Sequence, residues 1–109
     1  MKLTAYDIEC LQTVKNKMDE DSSRHYSIHD LAGLAGMGST KLKAAFKQYF
    51  GMGVYTYLQD ERMRKAKVLL ETTEKPIKLI AKGAGFAYVT NFNTAFKRKY
   101  GRTPGTLRK

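Results

Sequence analysis

The sequence predicts an all-α fold, and three observations predict it. Helix-forming residues run through all 109 positions, with just two prolines among them. Apolar residues recur every three or four positions in successive segments, which is the period of a helix face and not of a strand. One stretch that reads as two short helices occurs twice. A chain of 109 residues makes one domain or two very small ones. Hydrophobic residues, at 42%, supply a core, which argues against a disordered basic tail. No apolar run approaches the roughly 18–20 residues of a membrane helix. Asp7 and Glu9 stand where a secretory signal would have its apolar stretch, so the expected location is the cytoplasm. Cys10 is the one cysteine and has no internal disulfide partner.

The elements follow in order. Thr4 with Asp7 three residues on is an N-capping pattern, and Ile8, Leu11, Val14 and Met18 make the apolar face of a first helix. Asp19 to Ser23, acidic and polar, predict a loop. Ser27 with Asp30 opens a second helix whose face is Ile28, Leu31, Ala32 and Ala35. Gly36 stands where a helix ends in a left-handed residue. After a short turn, Leu42, Ala45, Phe46 and Tyr49 predict a third helix, stopped by Gly51. Residues 55–70 contain neither Gly nor Pro and predict one long helix of roughly 24 Å at 1.5 Å per residue. Its face is Leu58, Arg62, Ala66 and Leu69, flanked by Met63 and Leu70, and a structural hydrogen-bonding role is expected for the Arg62 guanidinium.

The duplication then repeats the second and third helices. Ile28, Leu31, Ala32, Ala35 and Gly36 recur as Ile77, Ile80, Ala81, Ala84 and Gly85, at an offset of 49. Leu42, Ala45, Phe46, Lys47 and Gly51 recur as Phe92, Ala95, Phe96, Lys97 and Gly101, at an offset of 50. The second copy therefore holds one extra residue, just after its first glycine. Two helices joined by a glycine-containing turn, with Ala32 or Ala81 at the close crossing, read as a helix-turn-helix. Thr103-Pro104 marks a restart, with Pro104 at a first helical position. The expected organisation is residues 1–54 as the N-terminal helix plus the first helix-turn-helix, 55–71 as the linking helix, and 72–109 as the second.

Charge points to a polyanion. Residues 1–35 hold four Lys/Arg against six Asp/Glu, whereas residues 36–109 hold sixteen against four. The outward positions of the later helix in each copy are polar or basic: Ser39, Thr40, Lys43 and Lys47, then Thr90, Asn93, Thr94, Lys97 and Arg98. No helix keeps a broad apolar face for a membrane, and no exposed aromatic row suits RNA bases. Phe46, Phe92 and Phe96 belong to the core. No nucleophilic triad, phosphate loop or carboxylate pair is visible, and His25 and His29 lack metal-ligating companions, so neither an enzyme nor a cofactor is expected. The competing reading is a helical protein-interaction domain whose basic face docks an acidic partner.

The stretches Ile28 to Gly51, Tyr57-Leu58…Arg62…Ala66…Leu69-Leu70, Gly85-Phe86, and Phe92…Ala95-Phe96-Lys97…Tyr100-Gly101…Thr103-Pro104 together resemble the DNA-binding domain of the arabinose-regulator (AraC/XylS) family of bacterial transcription regulators. The resemblance implies about seven helices in two helix-turn-helix subdomains joined by a long central helix. It also implies that the second helix of each unit enters the major groove, in successive turns of one duplex. Carried over by position, Thr40, Lys43, Ala44, Val89, Thr90, Asn93 and Thr94 are the expected base contacts, with Tyr88 also outward. Lys43 suits guanine O6/N7, Asn93 suits adenine, and Val89 and the threonine methyls suit the thymine methyl. Ser39, Lys47, Lys97, Arg98, Lys99 and Arg102 are the expected phosphate contacts. The implied partners are double-stranded DNA, RNA polymerase and a separate effector or dimerisation domain. The chain departs from the family pattern at Gly38 and Ala87, expected where a serine usually caps each recognition helix, and at Ala44, where a long polar side chain is usual.

Overall fold

Local capping sets most helix boundaries. In a computed structural model, which describes residues 1–22 and 24–108, the Asp7 amide donates to Thr4 Oγ1 at 3.0 Å. The Thr4 amide donates back to Asp7 Oδ2 at 3.1 Å, a reciprocal box that opens α1 (Ala5–Glu20). Asp19 and Glu20, expected in a loop, continue this helix instead. The Lys15–Asp19 ion pair at 2.9 Å braces its last turn, and Tyr26 Oη donates to the Lys17 and Asp21 carbonyls at 3.1 and 2.8 Å. Those carbonyls at the helix end would otherwise be orphaned. Ser23, the end of that expected loop, lies outside the described residues.

The Ser27 hydroxyl accepts from the Asp30 amide at 3.0 Å and opens α2 (Ile28–Ala35). Gly36, at φ 65°, closes it, and the Met37 amide donates back to the Ala32 carbonyl at 3.1 Å. Next come α3 (Ser39–Phe50), α4 (Val54–Thr72), α5 (Ile77–Gly83), α6 (Val89–Tyr100) and α7 (Pro104–Arg108). The described residues thus form seven helices and no strand, the all-α fold expected. The turn after α5 repeats the turn after α2, with the Phe86 amide on the Ala81 carbonyl at 3.0 Å. The two copies part company only afterwards. The residue capping α6 is Tyr88 and not the expected Ala87, because the extra residue of the second copy lies within the turn; Tyr88 is thereby the counterpart of Gly38 before α3. Neither cap contributes a side-chain hydrogen bond to its helix.

The chain divides into two compact units, residues 1–58 and 59–109, with the boundary inside α4. In the first, Leu11, Val14 and Met18 of α1 pack with Leu31, Ala32 and Ala35 of α2, with Leu42, Ala45 and Phe46 of α3, and with Val54 and Leu58. Tyr49 departs from its expected place on the apolar face of α3: it is 42% exposed, and Phe50 turns inward instead, its ring 4.5 Å from that of Phe46. In the second unit, Met63, Ala66 and Leu70 pack with Ile80, Ala81, Ala84, Phe92 and Phe96. An aromatic chain runs through this core, Phe86 to Phe92 to Phe96 to Tyr100, with ring centroids 5.5, 5.6 and 4.7 Å apart. Ala32 and Ala81 are both buried at their crossings, where a larger side chain would cost about 1–3 kcal/mol.

Two arginines organise the second unit. The Arg62 guanidinium lies against Gly85, so close that a Cβ there would sit 2.9 Å from Arg62 Nη1. Arg108 donates to the Leu70, Thr73 and Lys75 carbonyls at 3.3, 3.1 and 2.5 Å, satisfying the end of α4 and the strand of chain that leaves it.

Candidate nucleic-acid interface

The buried face of α3 is Leu42, Ala45 and Phe46. Helical geometry turns the complementary positions outward, and Thr40, Lys43, Ala44 and Lys47, at i, i+3, i+4 and i+7, form one exposed stripe. The buried residues of α6 are Phe92 and Phe96, and its counterpart stripe is Thr90, Asn93, Thr94 and Lys97, each displaced by 50 residues from its equivalent. Asn93 is half-buried and the other three are exposed. Val89, the first residue of α6, is 37% exposed beside Thr90. Ser39 is half-buried at the start of α3. All seven residues expected to touch bases therefore lie on two short helical surfaces, one in each unit.

Partners differ among these residues. The Thr94 hydroxyl donates to the Thr90 carbonyl at 3.0 Å, which leaves its oxygen lone pairs able to accept. Lys43, Lys47, Lys97 and Arg98 have no carboxylate within ion-pair distance among the described residues, so their charges are uncompensated locally. Lys99 is held by Asp60 at 3.0 Å, and the Arg102 guanidinium donates to the Thr106 carbonyl at 3.1 Å. Lys41, on the same helix as Lys43, is drawn to Asp7 at 3.2 Å. Hydrogen bonding from the Thr4 amide, then from the Lys41 ammonium, holds the Asp7 carboxyl below the ordinary carboxylate range. A second polar knot in the first unit joins Lys15, Asp19 and Tyr57, whose hydroxyl donates to Asp19 Oδ1 at 2.6 Å. Burial, then this bond, raises the Tyr57 phenol. Both knots are intramolecular ties between helices. Among the described residues no group of three metal-ligating side chains occurs.

Comparison with known proteins identifies the family. The profile of a helix-turn-helix domain family matches residues 31–109. The chain belongs to the AraC-type helix-turn-helix family. The arabinose operon regulatory protein of Salmonella typhimurium is 30% identical over 83% of this chain and 32% of its own length. Among solved structures, the C-terminal domain of a two-component response regulator from Fusobacterium nucleatum is 33% identical, covering 93% of this chain and 99% of that one, with a TM-score of 0.82. An AraC-type transcriptional regulator structure from Chromobacterium violaceum is 27% identical and covers 96% and 94%, with a TM-score of 0.86. This AraC-type chain spans about a third of the length of the first curated relatives it matches.

The long-range ties of Lys99 and Lys41 escaped sequence reasoning, since their partners stand 39 and 34 residues away. A pair of exposed lysines on α5, Lys78 and Lys82, was also missed. The signal available was their i, i+4 spacing on a short helix whose inward residues are Ile80 and Ala81.

Proposed function

We propose that this AraC-type chain is a sequence-specific double-stranded DNA-binding domain of a transcription regulator, and that it inserts α3 and α6 into successive major-groove segments. The observation that carries this reading is the repeated outward stripe, Thr40-Lys43-Ala44-Lys47 and Thr90-Asn93-Thr94-Lys97, on a helix of the same length in each unit. Asn93 and Lys43 read base edges, with Val89, Ala44 and the threonines against thymine methyls. Lys47, Lys97 and Arg98 hold phosphates and set register, joined by Ser39 at the start of α3. Lys99 and Arg102 join them by exchanging their internal partners for a phosphate. Charge is unevenly divided: residues 1–58 hold seven Lys/Arg against six Asp/Glu, and residues 59–109 hold thirteen against four. The second unit therefore supplies most of the salt-sensitive affinity. The organisation is two reading units, residues 1–54 and 72–109, on a connecting helix. The reading further implies RNA polymerase and a separate effector or dimerisation domain as partners, cytoplasmic location, and no catalytic role for this chain.

Selection of duplexes from a random library tests the reading. Two preferred blocks about 10–10.5 bp apart are expected. Asn93→Ala should weaken the best site by about 5- to 150-fold and relax preference at one base pair. Lys97→Ala with Arg98→Ala should make the fall of log affinity with log salt shallower by about two. Absence of any preferred sequence, or equal losses for Asn93→Ala on random and selected DNA, overturns it.

A further inference from the structure

An open groove of about 600 Å³ lies beside α6, lined by Lys78, Leu79, Lys82, Phe86, Tyr88 and Val89. Four features set it apart. Lys78 and Lys82 share one edge of α5, both exposed, and neither has a carboxylate within ion-pair distance among the described residues. No carboxylate lines the groove. Its walls are apolar and open, with Tyr88 69% and Leu79 49% exposed. The Tyr88 side chain makes no capping bond to the helix it precedes. Large apolar side chains left in the open beside two cations mark a surface that takes a ligand with both an apolar and an anionic face.

We infer that this groove seats the sugar–phosphate strand flanking the base pairs that α6 reads, with Lys78 and Lys82 on successive phosphates and Tyr88 against a deoxyribose. The inference rests on the DNA-binding reading above. Continuity favours a nucleic-acid strand as the occupant. The groove ends on Val89, the first residue of α6, so a strand that passes the start of that helix runs directly into it. The i, i+4 lysines stand one helical turn apart, about 6 Å along the axis, a step comparable to that between neighbouring phosphates. The C–H faces of deoxyribose match Leu79, Phe86 and the Tyr88 ring, while the phosphate oxygens meet the ammonium groups. Such contacts add affinity without reading sequence.

The test uses the whole chain and its selected duplex, with fluorescence anisotropy over a salt series. Lys78→Gln with Lys82→Gln should lower affinity by a similar factor on selected and random DNA and make the salt slope shallower by about two. Tyr88→Ala should weaken binding several-fold, and Tyr88→Phe should restore it. Uncharged methylphosphonates at the flanking phosphates should weaken wild-type binding and leave the double-lysine variant unaffected. Lys78, Lys82 and Tyr88 are exposed, and circular dichroism is the check that each variant is folded. If Asn93→Ala relaxes preference while the lysine variant keeps the wild-type slope, the groove is not a strand seat, although the DNA reading stands. If a labelled poly-glutamate peptide binds in a manner dependent on Lys78 and Lys82 and DNA affinity is indifferent to them, an acidic protein is the occupant and the inference falls. If the wild-type chain binds no duplex, the inference and the reading fall together.

Discussion

Gly85→Ala is the substitution whose effect the structure defines most sharply. Two penalties meet at this position. At φ +88° the residue is left-handed, which costs an L-residue roughly 1–2 kcal/mol. In addition, the new Cβ would lie 2.9 Å from Arg62 Nη1 and 3.2 Å from Cζ, so the guanidinium, the far end of a flexible side chain, must swing aside at a cost of about 0.5–1.5 kcal/mol. The expected total is about 1.5–3.5 kcal/mol. Gly101 provides the control. It is also left-handed, at φ +77°, but nothing lies within 4 Å of a Cβ there, so Gly101→Ala should cost only the backbone share of about 1–2 kcal/mol. Urea unfolding of the two variants, with Arg62→Ala and the Gly85→Ala/Arg62→Ala double variant, completes a thermodynamic cycle. In the Arg62→Ala background, the cost of Gly85→Ala should fall to that of Gly101→Ala. Equal costs at Gly85 and Gly101 in the wild-type background, or a cost at Gly85 unaltered by Arg62→Ala, would refute the contact as a source of stability.

Other outcomes follow from polar groups in the two cores. Tyr100 Oη is buried with no hydrogen-bond partner among the described residues, and burial raises its phenol above the ordinary range. Tyr100→Phe should therefore stabilise the chain by about 1 kcal/mol, read as an upward shift in melting temperature, and a loss of stability would show that the hydroxyl is satisfied in solution. The Asp7 carboxyl is held low by the Thr4 amide and Lys41, so it stabilises the folded chain at pH above the ordinary carboxylate value. That contribution disappears as pH falls through the depressed folded value. The stability gap between the wild type and Asp7→Asn, followed by acid titration of unfolding, should be full at neutral pH and close below the carboxylate range. A gap independent of pH would leave the ion pair without a role.

Helix termini were legible in the sequence because their causes are local. Thr4, Ser27, Gly36 and Gly101 act on amides and carbonyls within a few residues of themselves. Tertiary choices were less legible. Tyr49 and Phe50 are adjacent aromatics near the edge of an apolar stripe, and the helical period alone does not decide which ring turns inward; the proximity of Phe46 and Tyr57 does. The cap of α6 is Tyr88, one residue beyond the Ala87 that the family resemblance implies, and the offset of 50 after Gly85 already pairs Gly38 with Tyr88. The outward stripes could be read because they are the complement of the core positions. Which of their neighbouring cations are already occupied could not, because Asp60 and Asp7 reach Lys99 and Lys41 only once the chain has folded.

The arginine that closes α4 has a consequence for the order in which the protein is made. Every residue of the first core has been synthesised by Leu58. The far end of α4 waits for Arg108, which the ribosome delivers 38 residues after Leu70. Residues 1–58 can thus close their core early in synthesis, while the carbonyls of Leu70, Thr73 and Lys75 wait for the Arg108 guanidinium.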